Sequence, residues 1–292
     1  MANNKMKLEL RKFDMSKLKS DSVVVLIGAR NTGKTVALMD MLRYHTSMPI
    51  GVVISGTECA NHNFERVVPK FLIYDEYTPE IIAKFMDRQM KITGQHREEV
   101  KKYGRTDLDP RAFLILDDCL YDKSWINDKN IRAAFMNGRH FNIFTCICMQ
   151  YVLGIPPALR ANVDYVFILR NNMIKEREKL YQQYAGMFPS FHVFNAVMNA
   201  ATENYEFLVI DKKSQSNKLQ DQVFWYKAST DVNYKLCSKE LWDMQARNEE
   251  LEQLGYKKDE DDAEEEYDNE LVIKKTMKGR GVDIKVKKSH NF

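Results

Sequence analysis

Short apolar runs alternate with polar segments of helical character along the first part of the chain. The runs are continuous, and most are rich in Val, Ile and Phe. Continuous apolar runs of this length are typical of strands that are buried on both faces of a parallel sheet. The pattern predicts strands at residues 23–27, 51–55, 71–74, 113–116, 143–149 and 165–169.

Helical spacing of apolar residues appears between these runs. Residues 80–93 place Ile82, Phe85 and Met86 on one face, and Pro79 suits the first position of that helix. Residues 36–44 and 130–136 predict two more helices, whereas the charged segment 98–109 is expected to be a solvated extension or a loop. Alternating strands and helices predict an α/β fold with three layers and a mostly parallel sheet.

The pattern changes after residue 169. It predicts helices at residues 175–184, 189–201 and 238–254, and a strand pair at residues 206–210 and 222–226 joined by a polar loop. We therefore expect three regions, which are a lead-in at residues 1–20, one α/β domain at residues 21–255 and a charged tail at residues 256–292.

Residues 28–35 form a phosphate-binding loop motif, G-x-x-x-x-G-K-[ST], directly after the first predicted strand and before a predicted helix. Amide groups of such a loop and of the helix N-terminus bind phosphate oxygens. Lys34 would reach the β- and γ-phosphates of a nucleotide, and the Thr35 hydroxyl would bind Mg²⁺. The predicted phosphate-binding residues are Gly28, Ala29, Arg30, Asn31, Thr32, Gly33, Lys34 and Thr35.

Two acidic residues follow the apolar run at residues 113–116, which is the Walker B pattern. A buried strand would deliver Asp117 to the carboxyl edge of the sheet, where ligands bind in open α/β folds. Asp117 is the predicted Mg²⁺ ligand, and Asp118 is placed to polarise an attacking water as a general base. The alternative is a surface pair of acids that caps a turn.

Gln150 ends the apolar run at residues 143–149. If that strand neighbours both the loop strand and the Asp117 strand, its amide points at the γ-phosphate. A neutral amide there can orient water and respond to the presence of the phosphate. The alternative is an ordinary loop residue.

The composition fits a soluble α/β protein of 292 residues, and the net charge of +3 says little about partners. No apolar run reaches the ~20 residues that cross a bilayer, and no secretory signal is visible. The five cysteines lack regular spacing, and we expect Cys146 and Cys148 to be buried on one face of a strand. These features predict a reducing compartment such as the cytoplasm.

The last part of the chain separates its charges. Residues 259–266 are acidic, and lysines and one arginine dominate residues 274–288. Such a tail is typical of solvated chain, and the alternative is contact with nucleic acid or an acidic partner.

Several motifs in this order resemble one family. The phosphate loop, the Asp117-Asp118 pair and the strand ending in Gln150 are followed by Ile-Pro-Pro-Ala-Leu-Arg-Ala-Asn-Val-Asp at residues 155–164, with Gly-Arg-His-Phe-Asn-Ile at 138–143 and Ser-Gly-Thr-Glu at 55–58. Together they resemble the genome-packaging ATPases of large nucleocytoplasmic DNA viruses, the poxvirus-type packaging ATPases of the FtsK/HerA superfamily. The resemblance covers about residues 8–230.

The resemblance implies a P-loop NTPase core with an additional strand between the Walker A and Walker B strands. It also implies a homo-oligomeric ring, hydrolysis of ATP with Mg²⁺, and sequence-independent movement of double-stranded DNA into a capsid. A capsid or portal component would be a partner. The protein itself would be found in the host cytoplasm, at the viral factory, and in the virion. Many relatives in the wider superfamily have Glu where this chain has Asp118, whose shorter side chain changes the expected geometry.

Ring-forming ATPases complete each site with an arginine from a neighbouring subunit, and that arginine stabilises transition-state charge. The resemblance makes Arg139 the first candidate and Arg160 the second, with a surface salt bridge as the alternative for either. Arg30 would contact phosphate or a neighbouring subunit. Candidate DNA surfaces are residues 91–105 and the basic tail, through phosphate contacts.

Two other functions remain open from the sequence. One is a P-loop switch or scaffold that binds nucleotide without motor activity. The other is a small-molecule kinase, which would need an arginine-rich lid and an acceptor pocket that the sequence does not indicate. Asp118, Gln150 and an arginine finger favour hydrolysis.

Overall fold

The computed structural model describes residues 8–119, 123–152 and 154–254. The chain divides into two units, Met1–Gln245 and Ala246–Phe292. In the second unit the structure describes only residues 246–254, which form the end of the last helix. The acidic and basic segments of the predicted tail lie outside the described residues.

A mostly parallel sheet forms the centre of the first unit. Its strands are β1 (Arg11–Lys12), β2 (Val23–Ile27), β3 (Ile50–Ser55), β4 (Ile73–Tyr74), β5 (Ala112–Asp117), β6 (Ile143–Met149), β7 (Tyr165–Ile168), β8 (Glu206–Asp211) and β9 (Val223–Lys227). Their order across the sheet is β1-β9-β8-β7-β2-β6-β5-β3-β4, and β8 runs antiparallel to both of its neighbours.

Helices connect most of the strands, and the last helix follows β9. They are α1 (Lys34–Leu42), α2 (Glu58–Asn61), α3 (Pro79–Tyr103), α4 (Lys129–Asn137), α5 (Pro157–Arg160), α6 (Ile174–Tyr184), α7 (Phe191–Ala201) and α8 (Lys239–Gln253). None of the helices in the described ranges has the length and apolar composition needed to cross a membrane.

The central strands are covered on both faces. Every side chain of β2, β5 and β6 is at most 5% exposed. Cys146 and Cys148 lie in β6 and are fully buried, which confirms their prediction as core residues. Burying each large apolar side chain stabilises the fold by roughly 1.5–3 kcal/mol, so the continuous apolar runs fix these strands in the middle layer. The predicted three-layer α/β architecture is confirmed.

Strand β6 separates the phosphate-loop strand β2 from the acidic strand β5. Ile27 of β2 lies opposite Met149 of β6, and Asp117 of β5 lies opposite Cys148. The prediction of an additional strand between the Walker A and Walker B strands is therefore confirmed. Its register brings the carboxyl ends of the three strands level with one another.

Some elements differ from the sequence predictions. Helix α3 continues through most of the charged segment and ends where Gly104 adopts a φ of 74°. Strand β1, within the predicted lead-in, pairs with β9 at the edge of the sheet. Strand β4 has only two residues, because Lys70–Leu72 form a 3₁₀ turn. The strand pair after residue 201 is present, and it joins the main sheet through β7.

Candidate nucleotide-binding site

The residues that follow β2, β5 and β6 meet at one edge of the sheet. Gly28 donates its amide proton to the Met149 carbonyl at 3.1 Å, and the Asp118 amide points at the Cys148 carbonyl at 3.4 Å. Because these strands are parallel and in register, the phosphate loop, the acidic pair and Gln150 all lie at their carboxyl ends. The structure thus brings together motifs that are spread over residues 28–150 of the sequence.

The backbone of the phosphate loop needs small residues at two positions. Gly33 has a φ of 96°, a conformation that side chains rarely adopt. A Cβ at Gly28 would lie 2.6 Å from Oγ1 of Thr32, whose hydroxyl donates to the Ala29 carbonyl at 2.8 Å. This hydrogen bond within the loop closes a turn before α1 begins. The first-turn amides of α1 therefore face the cavity without partners inside the helix, as an anion site requires.

Lys34 is the first residue of α1 and is only 6% exposed. Its ammonium donates to the carbonyl oxygens of Gly28 and Ala29, at 3.1 and 3.2 Å. The same nitrogen lies 3.5 Å from Oδ2 of Asp118. A buried lysine in this position holds its positive charge directly beside the loop, where the β- and γ-phosphates of a nucleotide would lie.

Asp118 connects the loop to the additional strand. Its Oδ2 accepts a hydrogen bond of 3.1 Å from Nε2 of Gln150. Its backbone φ of 47° is in the left-handed region, which is uncommon for a residue other than glycine and is often found at functional sites. Lys34, Asp118 and Gln150 thus form one network, and Gln150 contacts the acid.

Asp117 is the buried member of the acidic pair, with 2% exposure. Burial and the neighbouring charge of Asp118 raise its pKa to about 6, although Cys148, Lys34 and Ser55 act in the opposite direction. Among the described residues its Oδ1 has no hydrogen-bond partner, and Ser55 approaches Oδ2 only at 3.5 Å. A carboxylate oxygen with an unused acceptor is the kind of ligand that a hard cation such as Mg²⁺ prefers. The Thr35 hydroxyl lines the cavity, whereas Asp117 lies beneath it and is not part of its wall.

A cavity of about 1140 Å³ lies above these residues, which is large enough for a nucleoside triphosphate. Its walls include the predicted residues Arg30, Asn31, Gly33, Lys34, Thr35, Asp118 and Gln150. Other wall residues were not predicted from the sequence, and they include Thr57, Asn61, Tyr151, Tyr205, Lys227 and Thr230.

The three candidate arginines occupy different places. Arg30 is exposed and lines the cavity. Arg139 precedes β6 and pairs with Asp164, which precedes β7, so it lies at the opposite edge of the sheet from the loop. Arg160 donates to the Ile155 carbonyl at 3.1 Å, and its guanidinium lies 5.7 Å from the centre of the Tyr184 ring. Within one chain Arg139 does not join the Lys34 network, and a role in a neighbouring subunit's site stays a prediction.

The candidate DNA surface at residues 91–105 is the second half of α3 and the turn after it. Its exposed cations are Lys91, Arg97, Lys101, Lys102 and Arg105. Arg97 donates to the His140 carbonyl at 2.7 Å, which anchors this end of α3 beside the segment that contains Arg139. The cationic surface is therefore at the amino edge of β6.

The strand order, the phosphate loop and the acidic pair together define the P-loop NTPase fold with an additional strand. The solved structure of EssC (ATPases 2 and 3) from Geobacillus thermodenitrificans has a similar fold, with a TM-score of 0.52 and 12% identity over 80% of this chain and 44% of that one. No model of a protein family matches the chain.

Two viral proteins are close enough in sequence to define the family. Uncharacterized protein L437 of Acanthamoeba polyphaga mimivirus is 37% identical over 239 residues, which cover 82% of this chain and 83% of L437. Uncharacterized protein 075L of Invertebrate iridescent virus 6 is 38% identical over 208 residues, or 70% and 77% of the two chains. The chain therefore belongs to the family of these proteins of large DNA viruses.

Proposed function

We propose that this protein is an ATP-driven translocase that packages a viral double-stranded DNA genome. One observation carries the proposal. The phosphate loop, a pair of acids and a polar amide meet at the ends of three adjacent strands, around a cavity of nucleotide size. Family membership supports a viral process, because the relatives come from large DNA viruses.

The proposed reaction is hydrolysis of ATP. A water oxygen attacks the γ-phosphorus, the bond from that phosphorus to the bridging oxygen breaks, and ADP and phosphate leave. Asp118 accepts the proton of the water, and Gln150 orients the water. Lys34 holds the β- and γ-phosphates, and Mg²⁺ held by Thr35 and Asp117 would neutralise charge on the phosphate oxygens.

Binding of the nucleotide changes the partners of Lys34. In the described structure its ammonium is shared between two loop carbonyls and Asp118. Phosphate oxygens carry more charge than these carbonyls and compete for the same nitrogen. We infer that Lys34 moves from Asp118 to the phosphates, which leaves the carboxylate free to act as a base.

A motor of this kind requires a surface that binds DNA and assembly into a ring-shaped oligomer. The exposed cations of α3 suit sequence-independent contacts with the phosphate backbone, and we propose this surface and the basic tail as the DNA contacts. We further propose a homo-oligomeric ring in which Arg139, or else Arg160, completes the neighbouring site. A capsid or portal component would be the partner, at the viral factory in the host cytoplasm and in the virion.

Steady-state ATP hydrolysis, with and without long double-stranded DNA, tests the proposal. We expect DNA to raise the rate, and the effect to weaken between about 50 and 200 mM salt as counterions compete for phosphates. Lys34→Ala is the control for contaminating ATPases. Light scattering then measures the molar mass of the active species, which distinguishes an oligomer from a monomer. Hydrolysis by a monomer that is indifferent to DNA would favour a nucleotide switch over a motor.

A further inference from the structure

The cavity extends to both sides of the phosphate loop. Asp118 and Gln150 lie on the side of β5 and β6, whereas Tyr205, Lys227 and Thr230 lie on the side of β8 and β9. Under the proposed function the acids face the γ-phosphate. The α-phosphate, the ribose and the base must then extend towards the β8 and β9 side of the cavity.

Tyr205 offers an aromatic face on that side. Its side chain is 71% exposed, although it lines the cavity. A Cβ at Gly33 would lie 3.6 Å from its Cδ1 atom, so the ring stands directly beside the last glycine of the phosphate loop. A large ring that is in contact with the loop and still open to solvent has one face available to a planar ligand.

The backbone around Tyr205 is an unusual setting for a tyrosine. Asn204 and Tyr205 have φ values of 49° and 63°, and the Glu206 amide donates to the Glu203 carbonyl at 2.8 Å. These features define a type I′ turn, whose second central position strongly favours glycine. Tyrosine at this position is therefore unfavourable for the turn. Because its ring is exposed, packing in the core does not offset this cost.

We propose that Tyr205 stacks on the base of the bound nucleotide and makes the site select nucleoside triphosphates over polyphosphate without a base. The proposal rests on the proposed nucleotide function. Stacking between a base and an aromatic ring contributes enough to change affinity by about tenfold. Lys227 and Thr230 close the same end of the cavity with polar groups.

Isothermal titration with two probes, ATP and inorganic tripolyphosphate, tests the proposal. Tyr205→Gly removes the ring and suits the turn, so the variant should melt no lower than the wild type. We expect it to bind ATP about tenfold more weakly and tripolyphosphate within about twofold of the wild type. Tyr205→Phe keeps the ring and should bind both probes normally.

The matched control is Tyr151→Gly, which removes another exposed aromatic of the same cavity, on the Gln150 side. It should leave the ratio of the two affinities unchanged. Unchanged ATP binding by Tyr205→Gly, equal weakening of both probes, or the same loss in Tyr205→Phe would each overturn the stacking role. Lys34→Ala separates the two proposals, because it must weaken both probes. If it weakens neither, the nucleotide site itself is misassigned.

Discussion

The ammonium of Lys34 lies 3.5 Å from Oδ2 of Asp118, and the same oxygen accepts a hydrogen bond from Gln150. One carboxylate oxygen therefore links the residue expected to bind phosphate with the residue expected to orient water. The network spans the additional strand and joins three elements that are distant in sequence. Changes to either end of it should have separable effects on binding and on hydrolysis.

Lys34→Ala should abolish hydrolysis. The substitution removes the buried positive charge that holds the β- and γ-phosphates, and we expect the rate to fall at least about 100-fold. Lys175→Ala, at an exposed position of α6, is the matched control and should keep the wild-type rate. Phosphate release measures both. A Lys34→Ala protein with unchanged turnover would show that the site is misassigned.

Asp118→Asn should bind ATP and fail to hydrolyse it. Asparagine tolerates the left-handed backbone at this position and can keep the contact with Gln150, but it cannot accept the proton of the water. We expect the single-turnover rate to fall about 10²–10⁴-fold with little change in the Kd of ATP. If binding disappears as well, Asp118 is a metal ligand or a structural residue.

Arg139→Ala should be inactive alone and partly active when mixed with Lys34→Ala subunits. In a mixed ring some sites combine an intact Lys34 with an intact Arg139 from the neighbour, and such an arginine contributes about 10³–10⁵ to the rate. Phosphate release across mixing ratios measures the rescue.

Asp164→Asn is the control for Arg139, because it removes the partner charge within the chain and retains an oxygen that can accept from the Val23 amide. It should keep most of the activity. Equal losses in Asp164→Asn and Arg139→Ala, with no rescue on mixing, would point to a structural ion pair. Arg139 is 54% exposed but Asp164 is 3% exposed, so Arg139→Ala leaves a buried carboxylate that keeps Lys213, at 3.4 Å, as a partner.

His45 should make the protein less stable in mild acid. It is 5% exposed, and its ring centre lies 4.3 Å from that of Phe144. Burial, with a smaller effect of Arg111, lowers its pKa from 6.5 to about 4. The unfolded chain therefore binds more protons between these values, and stability falls as the pH drops from about 6.5 to 4.

The His45 effect should amount to about 2–3 kcal/mol at pH 4.5, measured as the free energy of unfolding in urea. His45→Phe removes the titrating ring and a nitrogen, Nε2, that lacks a partner among the described residues. The free energy of unfolding of this variant should fall less than that of the wild type between pH 7 and 4.5. Carboxylates contribute equally to both proteins, so their effect cancels when the two profiles are compared. Parallel pH profiles of the two proteins would contradict the assignment.

Local patterns were sufficient for the central strands and the loop. Continuous apolar runs mark β2, β5 and β6, because each of them is buried on both faces, and the strand order around them follows from the family resemblance. The end of α3 was harder to predict. Its charged residues are compatible with a helix or with a loop. The one local signal for the end of the helix is Gly104, which adopts the left-handed conformation after the last turn.

Long-range geometry could not be predicted from the sequence. Strand β1 has two exposed residues and no hydrophobic pattern, and it exists because it pairs with β9. The same limitation applies to Tyr205, which reaches the cavity only because β8 runs antiparallel to β7 and begins at the carboxyl edge of the sheet. The resemblance alone indicates Arg139, and no local pattern predicts its pairing with Asp164.

The pairing of β1 with β9 joins Arg11 to Phe224 and Lys12 to Trp225. Residues 23–150 include the phosphate loop, the acidic pair and Gln150, so a growing chain contains these residues long before it contains β9. Contacts of such high sequence separation form late, because a long loop must close before they stabilise anything. During synthesis the residues of the proposed site up to Gln150 therefore leave the ribosome before the wall at residues 227–230.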